Sequence, residues 1–185
     1  TINTTIDEWA IMSFIIWMTG RPCSGKTTIA RQLEKSISNL AVLDGDELYK
    51  WLGTYEFSRE ARIAQNKRVA HLAKLLMKHN VPVCVSMISP YNETRINARN
   101  IIDSNNFYQI YVKCDFQECE KRDVKGMYKQ AKEGKIKNFT GISDIFEEPI
   151  NPNLIVNTQV DTIDDSISIV PNLCPEILTT SSEPQ

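Results

Sequence analysis

The sequence predicts an α/β fold, a parallel β-sheet flanked by helices on both faces. Three observations carry this. Short apolar runs alternate with helical patterns along the chain, the order that builds parallel sheets. The first run leads into Gly20-Arg21-Pro22-Cys23-Ser24-Gly25-Lys26-Thr27, the glycine-rich pattern G-x-x-x-x-G-K-[ST] between a strand and a helix. The length of 185 residues suits one domain, large enough to bury roughly 70% of its unfolded surface.

Each element follows from its residues. Phe14-Ile15-Ile16-Trp17-Met18 is apolar throughout, as a strand buried on both faces must be. Beyond the glycine-rich loop, Ile29, Leu33 and Ile37 recur every four residues and mark one helix face. Residues 41–43 form a second strand ending in the turn-forming Asp44-Gly45-Asp46, and 46–52 a short helix. Ser58 is placed to cap a long helix whose apolar face holds Val69, Leu72, Ala73 and Leu76, with Asn80 as its stop. Residues 81–87 make the third strand, which Pro90 prevents from continuing. A polar helix over 93–104 and a strand over 108–112 follow. Asp115 and Glu118 have capping-box spacing for the next helix. Residues 154–156 are the fifth strand and 164–170 a final helix. Residues 1–13 read as an N-terminal extension, 14–170 as a single domain, and 171–185 as a loose tail rich in Pro, Ser, Thr and Glu.

The glycine-rich loop carries the first chemistry. Its glycines let backbone N–H groups close around a phosphate, and the helix N-terminus adds a partial positive charge. Lys26 then reaches the β- and γ-phosphates of ATP, and the Thr27 hydroxyl holds Mg²⁺. The fold is thus a P-loop NTPase fold of nucleoside-monophosphate-kinase size. Residues 121–141 interleave seven Lys and Arg with Gly126, Gly134 and Gly141. Two readings stay open there: a solvated basic helix face, or a mobile lid with glycine hinges and cations aimed at phosphates.

Composition narrows the partners. With 42% hydrophobic and 24% charged residues and a net charge of −2, there is no electrostatic case for nucleic acid or an anionic membrane. No apolar run reaches bilayer-spanning length. Five scattered cysteines show no zinc-site spacing and point to a reducing, cytoplasmic setting.

Six stretches together resemble the adenylylsulfate kinases, which use ATP to phosphorylate the 3′-hydroxyl of adenosine 5′-phosphosulfate in sulfate assimilation. They are Trp17-Met18-Thr19-Gly20 with Ser24-Gly25-Lys26-Thr27-Thr28; Leu43-Asp44-Gly45-Asp46; Phe57-Ser58 with Arg62 and Asn66; Ile88-Ser89-Pro90-Tyr91; Arg122-Asp123-Val124-Lys125-Gly126-Met127-Tyr128; and Asn138-Phe139-Thr140-Gly141-Ile142. The resemblance runs from about residue 14 to 160 in family order. It implies ATP held by Gly20 through Thr28 with Arg122, and a magnesium site at Thr27 and Asp44. It implies Asp46 as the base that takes the 3′-hydroxyl proton, working with Lys26. Acceptor contacts fall to Asp44, Asp46, Phe57, Arg62, Asn66, Ile88, Ser89, Lys125, Asn138 and Phe139, with Phe57 and Phe139 sandwiching the adenine. On its own Asp44-Gly45-Asp46 is equally a plain turn, and either phenylalanine a core residue. The resemblance also implies a homodimer.

The departures cluster on the acceptor side. Where the family usually has Asn, an apolar residue and Arg after Asp-Gly-Asp, this chain has Glu47-Leu48-Tyr49; Ala61, Gln65 and Asn92 replace the usual Asp, Glu and Arg. Losing a guanidinium contact to an anion costs roughly 1.5–3 kcal/mol. A related kinase with another acceptor, such as a cytidine diphosphoramidate, is therefore an alternative. A non-catalytic nucleotide switch is a further one.

Overall fold

The structure is a computed structural model and describes residues 13–52 and 56–173. Along the chain come β1 (Ile15–Thr19), α1 (Lys26–Ser36), β2 (Ala41–Asp44), α2 (Gly45–Leu52), α3 (Arg59–Lys78), β3 (Val83–Ser86) and α4 (Asn92–Ile102). β4 (Phe107–Lys113), α5 (Phe116–Arg122), α6 (Met127–Lys132), β5 (Leu154–Asn157) and α7 (Ile163–Leu173) complete the order. The sheet has the order β2-β3-β1-β4-β5, and every pairing is parallel.

β1 is the central strand, and its unbroken apolar run has a physical reason. Successive side chains point to opposite faces. Phe14, Ile16 and Met18 pack with Ile29, Ala30 and Leu33 of α1 and with Val170 of α7. Ile15 and Trp17 pack on the other face with Val69, Ala70 and Ala73 of α3 and Ala98 and Ile102 of α4. A third cluster, around Cys119, Tyr128 and Phe139, sits under α5 and α6. Because β1 pairs with β3 on one side and β4 on the other, the carboxyl ends of these strands open the crevice where such sheets bind ligands.

Several expectations are corrected. β1 is shifted one residue later than 14–18, with Thr19 paired to Tyr111. β3 is shorter than 81–87, because the Val81 N–H turns back to Leu76 O at the end of α3 and Pro82 has no N–H to give. Asp44-Gly45-Asp46 is no turn: Asp44 ends β2 and α2 begins at once. Leu72 faces outward at 37% exposure, because α3 buries Val69 and Ala73 instead. Asp115 is the N-cap of α5 but its carboxylate makes no cap bond, and Glu118 pairs with Arg122. α4 stops at Ile102, where Asp103 turns left-handed (φ 50°). α7 continues past Pro171 to Leu173, beyond the expected helix end at 170. The extension over 1–12 and the tail from 174 on lie outside the described residues. Ser58 does cap α3, accepting from Ala61 N, and Asn80 adopts φ 58° just past its end. Among the described residues no helix is long and apolar enough to cross a membrane.

Candidate active site

The glycine-rich loop is locked from several directions. A Cβ on Gly20 would lie 2.4 Å from Val112 O, so only glycine fits there; Gly25 takes φ +98° at the start of α1. Lys26 is buried and donates to Gly20 O (2.9 Å) and Arg21 O (2.8 Å). Ser24 Oγ lies 3.4 Å away. Burial pushes the Lys26 ammonium down to about 8, opposed by the neighbouring carboxylates of Asp44 and Asp46. Cys23 is half-buried at φ 61° and Thr28 is exposed. Pro22 O accepts from Tyr128 Oη at 3.0 Å, tying the loop to α6.

The two carboxylates of the Asp-Gly-Asp stretch have separate surroundings. Asp44 is buried. It accepts from Thr27 Oγ1 at 2.8 Å and from the Asp46 backbone N–H at 2.9 Å. Asp46, in the first turn of α2, is half in solvent and its carboxylate pairs with Lys125. One carboxylate thus faces the phosphate loop and the other faces the lid segment. Thr27 and Asp44 supply hydroxyl and carboxylate oxygens side by side, a donor set that fits a hard divalent cation.

The side expected to hold the acceptor is assembled from distant segments. Arg62 is 3% exposed. Its Nε donates to Phe57 O (3.1 Å) and its Nη2 to Asn138 O (2.9 Å), while Asp144 Oδ2 stands 3.9 Å off. Asn66 Nδ2 donates to Arg62 O (2.9 Å), and Ser89 Oγ donates to Asn66 Oδ1 (2.6 Å). Ile88 O accepts from Thr19 Oγ1 at 2.6 Å, which joins the acceptor loop to the strand that enters the phosphate loop.

The structure brings most of the expected residues to one crevice, with two differences. Phe139 is 2% exposed and packs edge-on against Tyr128, so it presents no open ring face. Phe57 is half-buried, with the Arg62 guanidinium 5.3 Å from its ring centre, and lines a cleft of 350 Å³ with Asn138 and Ser58. Arg122 is held by Glu118 and by Thr158, whose O accepts at 2.8 Å. Of the basic run, Lys125 alone reaches Asp46; Lys132 and Lys135 pair with Glu120 and Glu133, and Lys121, Lys129 and Lys137 are exposed. Lys125 thus faces the Asp46 carboxylate, while the other lysines of 121–141 lie on a solvated face.

Sequence reasoning missed two contributors. Asp144 faces Arg62 and accepts from Tyr91 Oη. Thr158 Oγ1 donates to Ser24 O at 2.8 Å and accepts from Arg122. Neither spacing nor residue type marks them, because each acts across a long chain separation. The departures have local partners. Glu47 pairs with Arg31, Asn92 Oδ1 accepts from Arg95 at 2.7 Å, and Ala61 N–H bonds to the Ser58 cap. Tyr49 lies near Arg62 and Asp46, its phenol pushed up chiefly by burial.

Fold and site together define an ATP-dependent kinase of the P-loop class. The family model described as adenylylsulphate kinase matches residues 12–157. A probable adenylyl-sulfate kinase of Aeropyrum pernix is 39% identical over 89% of this chain and 93% of its own length. The adenylyl-sulfate kinase of Thermodesulfovibrio yellowstonii is 43% identical over 81% and 78%. The solved APS kinase CysC of Mycobacterium tuberculosis, in complex with AMPPNP and APS, superposes with a TM-score of 0.80 at 35% identity, covering 88% of this chain and 97% of that one. The chain belongs to the adenylylsulphate kinase family.

Proposed function

We propose that the chain transfers the γ-phosphoryl group of ATP to the 3′-hydroxyl of adenosine 5′-phosphosulfate, giving 3′-phosphoadenylylsulfate and ADP. The supporting observation is the division of labour between Asp44, bound to Thr27, and Asp46, open toward the lid. Backbone N–H groups of the glycine-rich loop and the Lys26 ammonium cradle the β- and γ-phosphates. Thr27 and Asp44 would hold Mg²⁺, which supplies charge neutralisation on the phosphates when bound. Arg62 and Asn66 orient the acceptor, the guanidinium suiting a phosphosulfate. Asp46 accepts the 3′-hydroxyl proton as the oxygen attacks the γ-phosphorus, and ADP leaves with the bridging electron pair. Lys125 moves from Asp46 to the phosphates as the acceptor enters. By analogy with the family, we place this activity in the cytoplasm, in a homodimer, within sulfate assimilation.

A coupled ADP-release assay with MgATP and a panel of adenosine 5′-phosphosulfate, AMP and cytidine diphosphate derivatives tests this. Turnover confined to adenosine 5′-phosphosulfate, reduced on the order of 10²–10⁴-fold by Asp46→Asn, is expected. Preference for a cytidine compound would show that Tyr49 and Glu47 re-cut the pocket. ADP release that ignores both the acceptor and Asp46→Asn would rule out the mechanism.

A further inference from the structure

Trp17 lies mid-strand in β1 with no exposed surface, among Ile15, Val85 and Phe107. Packing alone accounts for an aromatic ring there, and its ring centroid is 6.1 Å from that of Phe107. It does not account for the indole nitrogen. Trp17 Nε1 donates to Ser89 Oγ at 3.1 Å in a buried contact. Ser89 Oγ in turn donates to Asn66 Oδ1 at 2.6 Å, also buried. Asn66 Nδ2 then donates to Arg62 O at 2.9 Å.

The direction of this chain is forced. An indole N–H can only donate, so Ser89 Oγ must accept from it. The hydroxyl has one hydrogen, and the remaining partner in reach is Asn66 Oδ1. Arg62 O can only accept, so it holds Asn66 Nδ2 on its side and leaves Oδ1 facing the Ser89 hydroxyl. That arrangement leaves one Nδ2 hydrogen and one Oδ1 lone pair, in known positions, for a ligand. Ser89 itself is held in a left-handed conformation (φ 43°), a conformation with a cost for a residue with a Cβ. Its carbonyl is pinned by Thr19 Oγ1 at 3.2 Å and by Arg95 Nη1. The hydroxyl therefore cannot be reoriented by moving the backbone.

We infer that Trp17 is a positioning residue for the acceptor: through the Ser89 hydroxyl it holds the Asn66 carboxamide in place beside Arg62. This rests on the acceptor reading of Arg62 and Asn66, but not on which nucleotide is the acceptor. Without the indole N–H the Ser89 hydroxyl loses the partner that fixes its direction, and the carboxamide is held firmly only at its Arg62 end.

The test uses the full chain with Trp17→Phe, Ser89→Ala and the double variant, assayed with whichever acceptor of the panel the wild type turns over. Absence of any acceptor for the wild type would be a failure of the functional reading, seen before the variants are made. The expected result for Trp17→Phe is a roughly tenfold rise in KM for the acceptor, with KM for ATP within twofold of wild type. Ser89→Ala should show the same split, and the double variant should be no worse than the poorer single one, because both break one chain of bonds. A simple core role for Trp17 would lower thermal stability and leave the acceptor KM alone. An unchanged acceptor KM, a parallel rise in both KM values, or additive effects in the double variant would overturn the inference.

Discussion

The phosphate-loop side and the proposed acceptor side of the crevice are built in different ways. The first is one continuous stretch, 20–28, braced by bonds within itself: Lys26 bonds to Gly20 and Arg21, and Ser24 N–H bonds to Arg21 O. The second joins α3, the Ile88–Ser89 loop and the 138–144 segment through bonds spanning 23 to 76 residues of sequence. A site made of neighbouring residues is preorganised by local backbone geometry. A site made of distant ones depends on packing to hold each part, and its polar groups are fixed by one another.

That contrast can be broken or sharpened. Of these variants the largest effect is expected for Lys26→Met, which removes the cation proposed to meet the transferred group. The kcat should fall on the order of 10²–10³-fold with every acceptor, since the loop serves all of them. Asp144→Asn should act on one side only. It leaves Arg62 without its carboxylate neighbour, so the acceptor KM should rise about tenfold while KM for ATP holds. Equal effects on both substrates would mean the two sides are not separate units.

The third effect is pH-dependent and smaller. In the empty protein Lys26 titrates near 8 instead of 10.5 because it is buried. Between those values the unfolded chain binds more protons, so the empty protein gains stability as pH rises through this window. Bound phosphates restore the charge on Lys26. ATP binding should therefore take up most of one proton at pH 9 and almost none at pH 6.5. Calorimetry in buffers of different ionisation enthalpy reads this directly, and equal uptake at both pH values would refute the assignment. The smallest effect is Ser58→Ala at the α3 cap. About 1 kcal/mol of stability should be lost, lowering Tm by about 2–4 °C, with kcat unchanged if α3 holds its frame.

The sequence by itself determined the sheet class, the order of its elements and the phosphate loop. Strand burial, helix periodicity and glycine geometry are local properties, so Phe14 through Met18 and Gly20 through Thr27 are legible residue by residue. It also set Ser58 as a cap, and the family resemblance of Leu43-Asp44-Gly45-Asp46 singled out the two carboxylates. Only the tertiary structure decided that those two carboxylates have different partners. It alone decided that Asp144 stands by Arg62, that Thr158 braces Ser24, that Phe139 is core, and that Trp17 speaks to Asn66 through Ser89. The physical reason is that a hydrogen bond or ion pair needs its partner within about 3–4 Å, and no sequence pattern records which distant residues the packed sheet will bring that close.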